Sequence, residues 1–276
     1  MIFRVSFLDT ILEMKEEIMA VTKEILTLAV ETGDALLRNG AEVYRVEDTV
    51  LHILKAYGIT DCDVYVLSNG IFASANENKE DACSMIRHVP LGSTHLGRIA
   101  ALNQLSREIC SHECSLSDAW GRLEQCRTIP NYRKLTNVFF CGLGSAGFSY
   151  LFGGTGLDAF VAFFIGLVLQ IFLFATDRHL ESKFITNILG SALVTFLSLI
   201  VLSCGLPILQ DKVVIGDIMP LVPGIALTTS IRDFFNGDYL SGTIHMIDAI
   251  LTAFSIAVGV GAVITIYQIL TGGALL

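Results

Sequence analysis

Charged residues are scarce in this sequence, and the scarcity is confined to one half of it. Only 16% of the 276 residues are charged, 53% are hydrophobic, and the mean hydropathy is +0.62. Residues 1–134 hold 14 of the 18 lysines and arginines and 19 of the 27 acids. A soluble core would interrupt apolar runs with polar faces every few residues, which residues 135–276 do not do. The two parts therefore need different solvents.

Other absences exclude classes of function. No glycine-rich phosphate loop of the Walker type is present, which argues against an ATP-driven pump. The net charge of residues 1–134 is −5, without a basic face, so nucleic acid is not an expected partner.

The seven cysteines follow no cleavable signal, because Asp9 interrupts the apolar stretch Val5 to Leu12. Reduced cytoplasmic thiols are therefore expected. Cys110 and Cys114 have no second ligand pair at finger-like spacing, so we expect no metal and no cofactor.

The apolar runs of the second half are long enough to cross a bilayer, which takes about 20 residues. They predict five spans, at about 135–154, 158–176, 185–206, 213–231 and 242–271. The predicted fold class is a membrane protein, with a cytoplasmic α+β domain (1–134) followed by a bundle of about five transmembrane α-helices (135–276). Asp158 and Asp177 are interpreted as marking the ends of the second span.

Lysine and arginine in the loops predict the orientation. Arg178, Lys183 and Arg232 would share one side with the basic residues of the first part, and Lys212 would lie on the other. We therefore expect a multi-pass protein of the cell membrane, with the N-domain cytoplasmic and the C-terminus outside.

Within residues 1–134, two hydrophobic periodicities alternate. A three- and four-residue period predicts helices at 14–39, 43–57, 94–112 and 115–128. Short apolar runs on either side of Ser68-Asn69-Gly70 predict a hairpin, and residues 82–89 a third strand. This is too little sheet for a Rossmann unit.

The fourth span carries the strongest functional signal. Asp217 directly precedes a segment with Pro220, Pro223 and Gly224, which cannot form a continuous helix. Broken backbone within a bilayer is tolerated only against protein or a water-filled cavity, and secondary transporters use it for solute and ion sites. The alternative is a proline kink near the membrane surface, with Asp217 interfacial.

Four further residues are candidates for the solute or ion pathway. His245 and Asp248 share one face of the fifth span and could carry a proton, or both could lie among the lipid headgroups. Thr228 and Arg232 end the fourth span, where the arginine could pair with an anionic solute group or serve as a positive-inside anchor.

The stretch from Glu31 to Asp48, ETGDALLRNGAEVYRVED, resembles the opening signature of the threonine/serine exporter family. Gly40, Arg45 and Glu47 correspond to its glycine turn and Arg-x-Glu pair. The membrane motif of that family resembles the segment of the fourth span that contains Pro220, Pro223 and Gly224. From the residues alone, Glu47 could instead simply charge the start of a helix.

The resemblance implies export driven by the proton motive force. Full-length members have ten spans in two halves, and this chain resembles the long subunit of split versions. A small five-span membrane subunit would complete the exporter, and a higher oligomer is compatible with this. Fused members export threonine and serine, and one split pair is described as exporting succinate.

The sequence thus predicts a subunit of a secondary, proton-coupled exporter of small polar metabolites, which is not an enzyme. The alternative is a membrane-anchored enzyme or a regulatory membrane subunit without transport activity of its own.

Overall fold

The structure, a computed structural model, describes residues 2–76, 82–90, 92, 94–176 and 182–271, with side chains from residue 14 onward except 15. The chain forms two compact units. The first comprises Met1–Asn131 together with Thr229–Ile244, and the second comprises Tyr132–Thr228 together with His245–Leu276. The first unit therefore includes a segment that runs from the end of the predicted fourth span (213–231) into the start of the predicted fifth (242–271). Asp177 and Arg178 lie outside the described residues.

The first unit begins with two helices, α1 (Ile2–Arg38) and α2 (Val43–Ala56). Helix α1 starts well before the predicted residue 14, and no glycine or proline in residues 2–13 interrupts it. It ends where Gly40 adopts φ +81°, and the Ala41 amide donates to the Leu36 carbonyl at 3.0 Å. This left-handed residue after a helix is a glycine position, because a Cβ is strained there.

A three-stranded antiparallel sheet follows, with order β1 (Cys62–Leu67), β2 (Gly70–Ala75), β3 (Cys83–His88). Leu67 pairs with Gly70, so Ser68 and Asn69 form a two-residue hairpin loop as predicted. Alternation along the strands buries Val66, Ile71 and Ala73 in the core formed with α1 and α2.

Two more helices complete the predicted domain, α3 (Leu96–Cys110) and α4 (Leu116–Arg127). The Ser115 hydroxyl caps α4 by accepting from the Asp118 amide at 3.2 Å, and Leu102, Leu105 and Leu123 are buried. The small α+β domain predicted from the sequence is thus present, with each helix end within a few residues of the prediction apart from the start of α1.

The second unit is built of helices. They are α5 (Lys134–Leu151), α6 (Gly156–Thr176), α7 (Lys183–Ser203), α8 (Gln210–Ile218), a 3-10 turn (Met219–Leu221), α9 (Gly224–Asn236) and α10 (Tyr239–Thr271), the last two shared with the first unit. Their common core contains Val161, Ile165, Leu169 and Val194.

Three of the described helices are long and apolar enough to cross a membrane, namely α6, α7 and α10. The bent pair of α8 with its 3-10 turn and α9 adds a fourth if it is one span. Five spans are therefore not confirmed, because α5, the predicted first span, is not among them. Lys134, Asn137 and several glycines and serines make α5 less apolar than the others.

The apolar helices leave most of their surface uncovered by the chain itself. Within the most apolar stretches of α6, α7 and α10, only 28%, 33% and 28% of residues are buried. Exposed phenylalanines such as Phe160, Phe164 and Phe254 would be unfavourable in water. These faces suit lipid or another membrane protein.

Two glycines with positive φ provide a matched test of the turn after α1. In Gly40→Ala, a Cβ would be strained by φ +81° and would lie 2.7 Å from the Thr94 hydroxyl, whereas at Gly58, with φ +86°, nothing lies within 4 Å. We expect Gly40→Ala to lower the free energy of unfolding by about 2–3 kcal/mol and Gly58→Ala by about 1 kcal/mol. Denaturant titration of the full chain in detergent would measure both, and equal losses would contradict the contact with Thr94.

Candidate functional site

The fourth predicted span is broken in the middle. Helix α8 ends at Ile218, a 3-10 turn follows, Val222 is extended with ψ 130°, and α9 begins at Gly224. Pro220 and Pro223 have no N–H to donate, and a proline disfavours helical geometry in the preceding residue, which accounts for Val222. The two helical parts differ in direction by 61°.

Asp217 lies at the end of α8, and its side chain is completely buried. Among the described residues, neither carboxylate oxygen has a hydrogen-bond partner, and neither do the buried hydroxyls of Ser145 and Ser149 on α5. The Ser145 hydroxyl lies beside the carboxylate but not in hydrogen-bonding geometry. We call these three residues the Asp217 cluster. Its four buried oxygens are an unusual concentration of unsatisfied polar groups, because such groups are costly.

Small residues place the Asp217 cluster deep in the helix packing. A Cβ on Gly216 would lie 2.6 Å from the Ser145 carbonyl, and a Cβ on Gly166 of α6 would lie 2.5 Å from the Ser145 hydroxyl. Neither site could hold a larger residue without separating the helices. Helix α5 therefore packs closely against both α6 and α8 beside the buried carboxylate.

An open cavity of about 410 Å³ lies against the same parts of α5 and the same helix break. Its lining consists of Asn137, Phe140, Cys141, Gly144, Phe148, Gln170, Met219 and Pro220. The polar groups are the two amides and a thiol, and within the part of the chain that the structure describes no charged side chain lines it. Cys141 is close enough to Asp217 to interact with it electrostatically. The cavity and the Asp217 cluster therefore form one candidate site.

Asp158 has a larger role than the sequence interpretation gave it. It is completely buried at the start of α6, where one oxygen accepts from the Thr155 amide and hydroxyl at 2.6 and 2.7 Å. The other oxygen accepts from the Leu209 amide at 2.7 Å, which fixes the start of α8. The pattern Thr-x-x-Asp is a capping signal that could have revealed the first contact, but the second depends on tertiary structure.

The structure gives Asp248 a partner that the sequence did not suggest. Both of its oxygens accept from Lys183 at the start of α7, at 2.7 and 2.6 Å. The carboxylate is therefore neutralised by a lysine, and it does not join the Asp217 cluster. The predicted proton-carrying role of His245 with Asp248 remains a prediction.

Thr228 and Arg232 lie along α9. The Thr228 hydroxyl donates to the carbonyl of Gly224 at 3.0 Å, within its own helix. Arg232 belongs to the first unit, where it forms an ion pair with Glu42, donates to the Tyr44 hydroxyl at 3.0 Å and lies 5.0 Å from the Tyr44 ring centre. The positive charge of Arg232 is thus engaged by the chain itself.

The predicted motif of the first unit has a structural explanation at two of its three residues. Gly40 forms the turn after α1, as described above. The Glu47 carboxylate accepts from the Val66 amide at 3.3 Å and so connects α2 to β1. Partial burial raises the pKa of Glu47, the hydrogen bond from Val66 opposes this, and nearby Asp238 adds to it. Arg45 is exposed.

Within the described ranges, no group of three or more histidine, cysteine or acidic residues could hold a metal ion.

Comparison with known proteins then decides the family. The family model described as "Putative threonine/serine exporter" matches residues 27–267, which is most of the chain. The chain belongs to the threonine/serine exporter family. The likeness inferred from Glu31 to Asp48 is thereby confirmed. The family is one of exporters, not of enzymes.

Two curated relatives are similar to the chain along most of its length. A "Probable threonine/serine exporter" of Mycobacterium tuberculosis is 25% identical over 244 residues, covering 87% of this chain and 45% of the relative. A "Threonine/serine exporter" of Corynebacterium glutamicum is 22% identical over 257 residues, covering 89% and 52%. The chain therefore spans about half the length of these exporters. No solved structure matches it.

The three hydrogen bonds to Asp158 predict that this residue is needed for stability. Asp158→Ala should lower the free energy of unfolding by about 3 kcal/mol, since it removes the acceptor of three part-buried hydrogen bonds from two segments. Thermal unfolding in detergent would measure this. Asp211→Ala is the control, because that carboxylate is 62% exposed and pairs with its neighbour Lys212. A loss no larger than that of the control would contradict the buried role of Asp158.

The raised pKa of Glu47 predicts a dependence of stability on pH. The protonated form is favoured in the folded chain, so the contribution of Glu47 is present at low pH and is lost as pH rises through the folded pKa. Glu47→Gln mimics that form and keeps an acceptor for the Val66 amide. We therefore expect the variant to gain stability relative to the wild type as pH rises above the ordinary titration range of a glutamate carboxyl, as measured by unfolding at each pH. A constant difference would contradict this account.

Proposed function

We propose that this chain is a subunit of a secondary exporter that exchanges protons for a small polar metabolite of the threonine or serine type. The observation that carries the proposal is the Asp217 cluster at the broken fourth span. A carboxylate buried without a partner costs several kcal/mol when charged, and a proton or a bound cation removes that cost. Such a group at a helix break is suited to take up and release a proton during transport.

The lining of the 410 Å³ cavity supports an amino acid rather than a dicarboxylate such as succinate as the solute. Asn137 and Gln170 supply amide groups that can donate to a carboxylate and accept from an ammonium or hydroxyl group. A dicarboxylate would call for lysine or arginine, and no charged side chain of the described residues lines the cavity. The names of the two curated relatives agree with this choice.

The remaining half of the exporter would come from a further membrane segment of about the same size. Support comes from the relatives, of which this chain matches 45% and 52%. Uncovered apolar faces on α6, α7 and α10 offer surfaces for such a partner. We propose a small five-span subunit in this role, with the first unit in the cytoplasm, the C-terminus outside and the complex in the cell membrane.

Replacement of Asp217 tests the proton-carrying role. Asp217→Asn has the same shape but cannot release a proton, so we expect threonine or serine export driven by a pH gradient to fall at least about a hundredfold. Exchange of labelled for unlabelled solute needs no net proton movement and should persist. Both are measured in proteoliposomes containing the purified complex, with Asp211→Asn as the control at an exposed acid of the same helix.

Two results would contradict this proposal. Unchanged gradient-driven export by Asp217→Asn would remove Asp217 from the coupling mechanism. Transport of succinate in preference to threonine and serine by the wild type would contradict the choice of solute.

A further inference from the structure

The first unit contains a polar cavity of about 560 Å³ that plays no part in the proposed transport site. It is enclosed by the end of α1, by β3 and by the facing sides of α3 and α4. Its lining consists of Glu31, Asp34, Ala35, Arg38, Asn39, Arg87, Gly92, Arg98 and Arg127. This volume lies in the range of sites for small metabolites.

The family-like segment provides one wall of this cavity. Four lining residues of α1, from Glu31 to Arg38, are spaced at three and four residues and so lie on one face of the helix, and Asn39 directly follows them. Gly92 closes the wall, because a Cβ there would lie 2.1 Å from the Arg38 carbonyl. The first half of the segment ETGDALLRNGAEVYRVED therefore faces the cavity, and its second half forms α2.

The charges around the cavity do not balance. Four guanidinium groups line it, against two carboxylates. The exposed Glu124, which does not line the cavity, lies 3.9 Å from Arg127, so at least one positive charge remains in excess among the described residues. Glu31 pairs with both Arg87 and Arg127, and Asp34 pairs with Arg38 at 2.6 Å. The two acids are well buried, with side chains 13% and 7% exposed, whereas these three arginines are 31–45% exposed.

Arg98 forms no ion pair with the two acids that line the cavity among the described residues. Its guanidinium donates to the Ile129 carbonyl at 2.8 and 3.0 Å and to the Asn39 side chain at 3.5 Å, all of them neutral acceptors. Two further groups on the cavity wall are incompletely satisfied among the described residues. The Nε of Arg87 and one oxygen of Asp34 are buried without a hydrogen-bond partner.

A network that only stabilises the fold would be expected to match each buried charge with a partner and to fill the space between them. Here the space is open and the cationic groups are in excess. Guanidinium groups bind carboxylate and phosphate oxygens in pairs, so such a cavity is suited to an anion with two negative charges.

We propose that this cavity is a binding site for a small organic dianion, either a dicarboxylate or a phosphate monoester. The ligand would offset the excess positive charge and accept from Arg98 and Arg87. The site is independent of the Asp217 cluster, which lies in the second unit.

Isothermal titration calorimetry on the full chain in detergent, at constant ionic strength, tests this directly. Succinate serves as the dicarboxylate probe, glycerol 3-phosphate as the phosphate probe and threonine as the zwitterionic control. We expect one of the two dianions to bind with one site per chain and threonine not to bind at this site. Failure of both dianions to bind would overturn the proposal.

Variants locate the binding in the cavity. Arg98→Gln should weaken binding of the dianion at least about tenfold through loss of a charged donor. Arg107→Gln, on the same helix but exposed and with its guanidinium donating to Gln104, should leave it unchanged. Equal affinities of Arg98→Gln and wild type would overturn the assignment.

A gain of affinity excludes misfolding as an explanation. Asp34→Asn removes one of the two acids and releases Arg38, so it should tighten dianion binding by about threefold or more. A misfolded chain could not produce this result. Weaker or unchanged binding in Asp34→Asn would count against a site governed by excess positive charge.

Discussion

The burial of Asp217 against the backbone of α5 is the constraint on which the second unit depends. Close contact of α5 with α6 and α8, which Gly166 and Gly216 permit beside Ser145, accompanies the complete burial of this carboxylate. The proline break follows directly, so the end of α8 is fixed in place while α9 turns away by 61°. An arrangement with unsatisfied buried oxygens is unfavourable for stability, which is why function is the best account of it.

The other acids of the membrane half have different roles because their surroundings differ. Asp158 is as deeply buried as Asp217, but three donors satisfy it, and it joins the starts of α6 and α8. Asp248 is neutralised by Lys183. One residue type therefore serves as a cap, as an ion-pair partner and as a candidate proton carrier, and the number of donors around each carboxylate decides which.

Several elements of the first unit could be predicted because they depend on local rules. The hairpin at Ser68 and Asn69, the cap at Ser115 and the turn at Gly40 each follow from residue chemistry within a few positions. The start of α1 was predicted too late, since no glycine or proline interrupts the helix before its amphipathic part. The arginine-lined cavity was not predicted, because residues from α1, β3, α3 and α4 meet there only in the folded chain.

The sequence by itself determined that residues 1–134 suit water whereas residues 135–276 suit a lipid bilayer. It also determined that the fourth apolar run is broken at Pro220 and Pro223, and that the chain resembles threonine/serine exporters. These conclusions depend on composition, on backbone chemistry and on a contiguous motif, none of which requires knowledge of distant contacts. Only the tertiary structure decided which acid is buried without donors, which are paired, and that Arg232 binds Glu42. Charge pairing and burial depend on residues far apart in sequence, and the packing of helices brings them together.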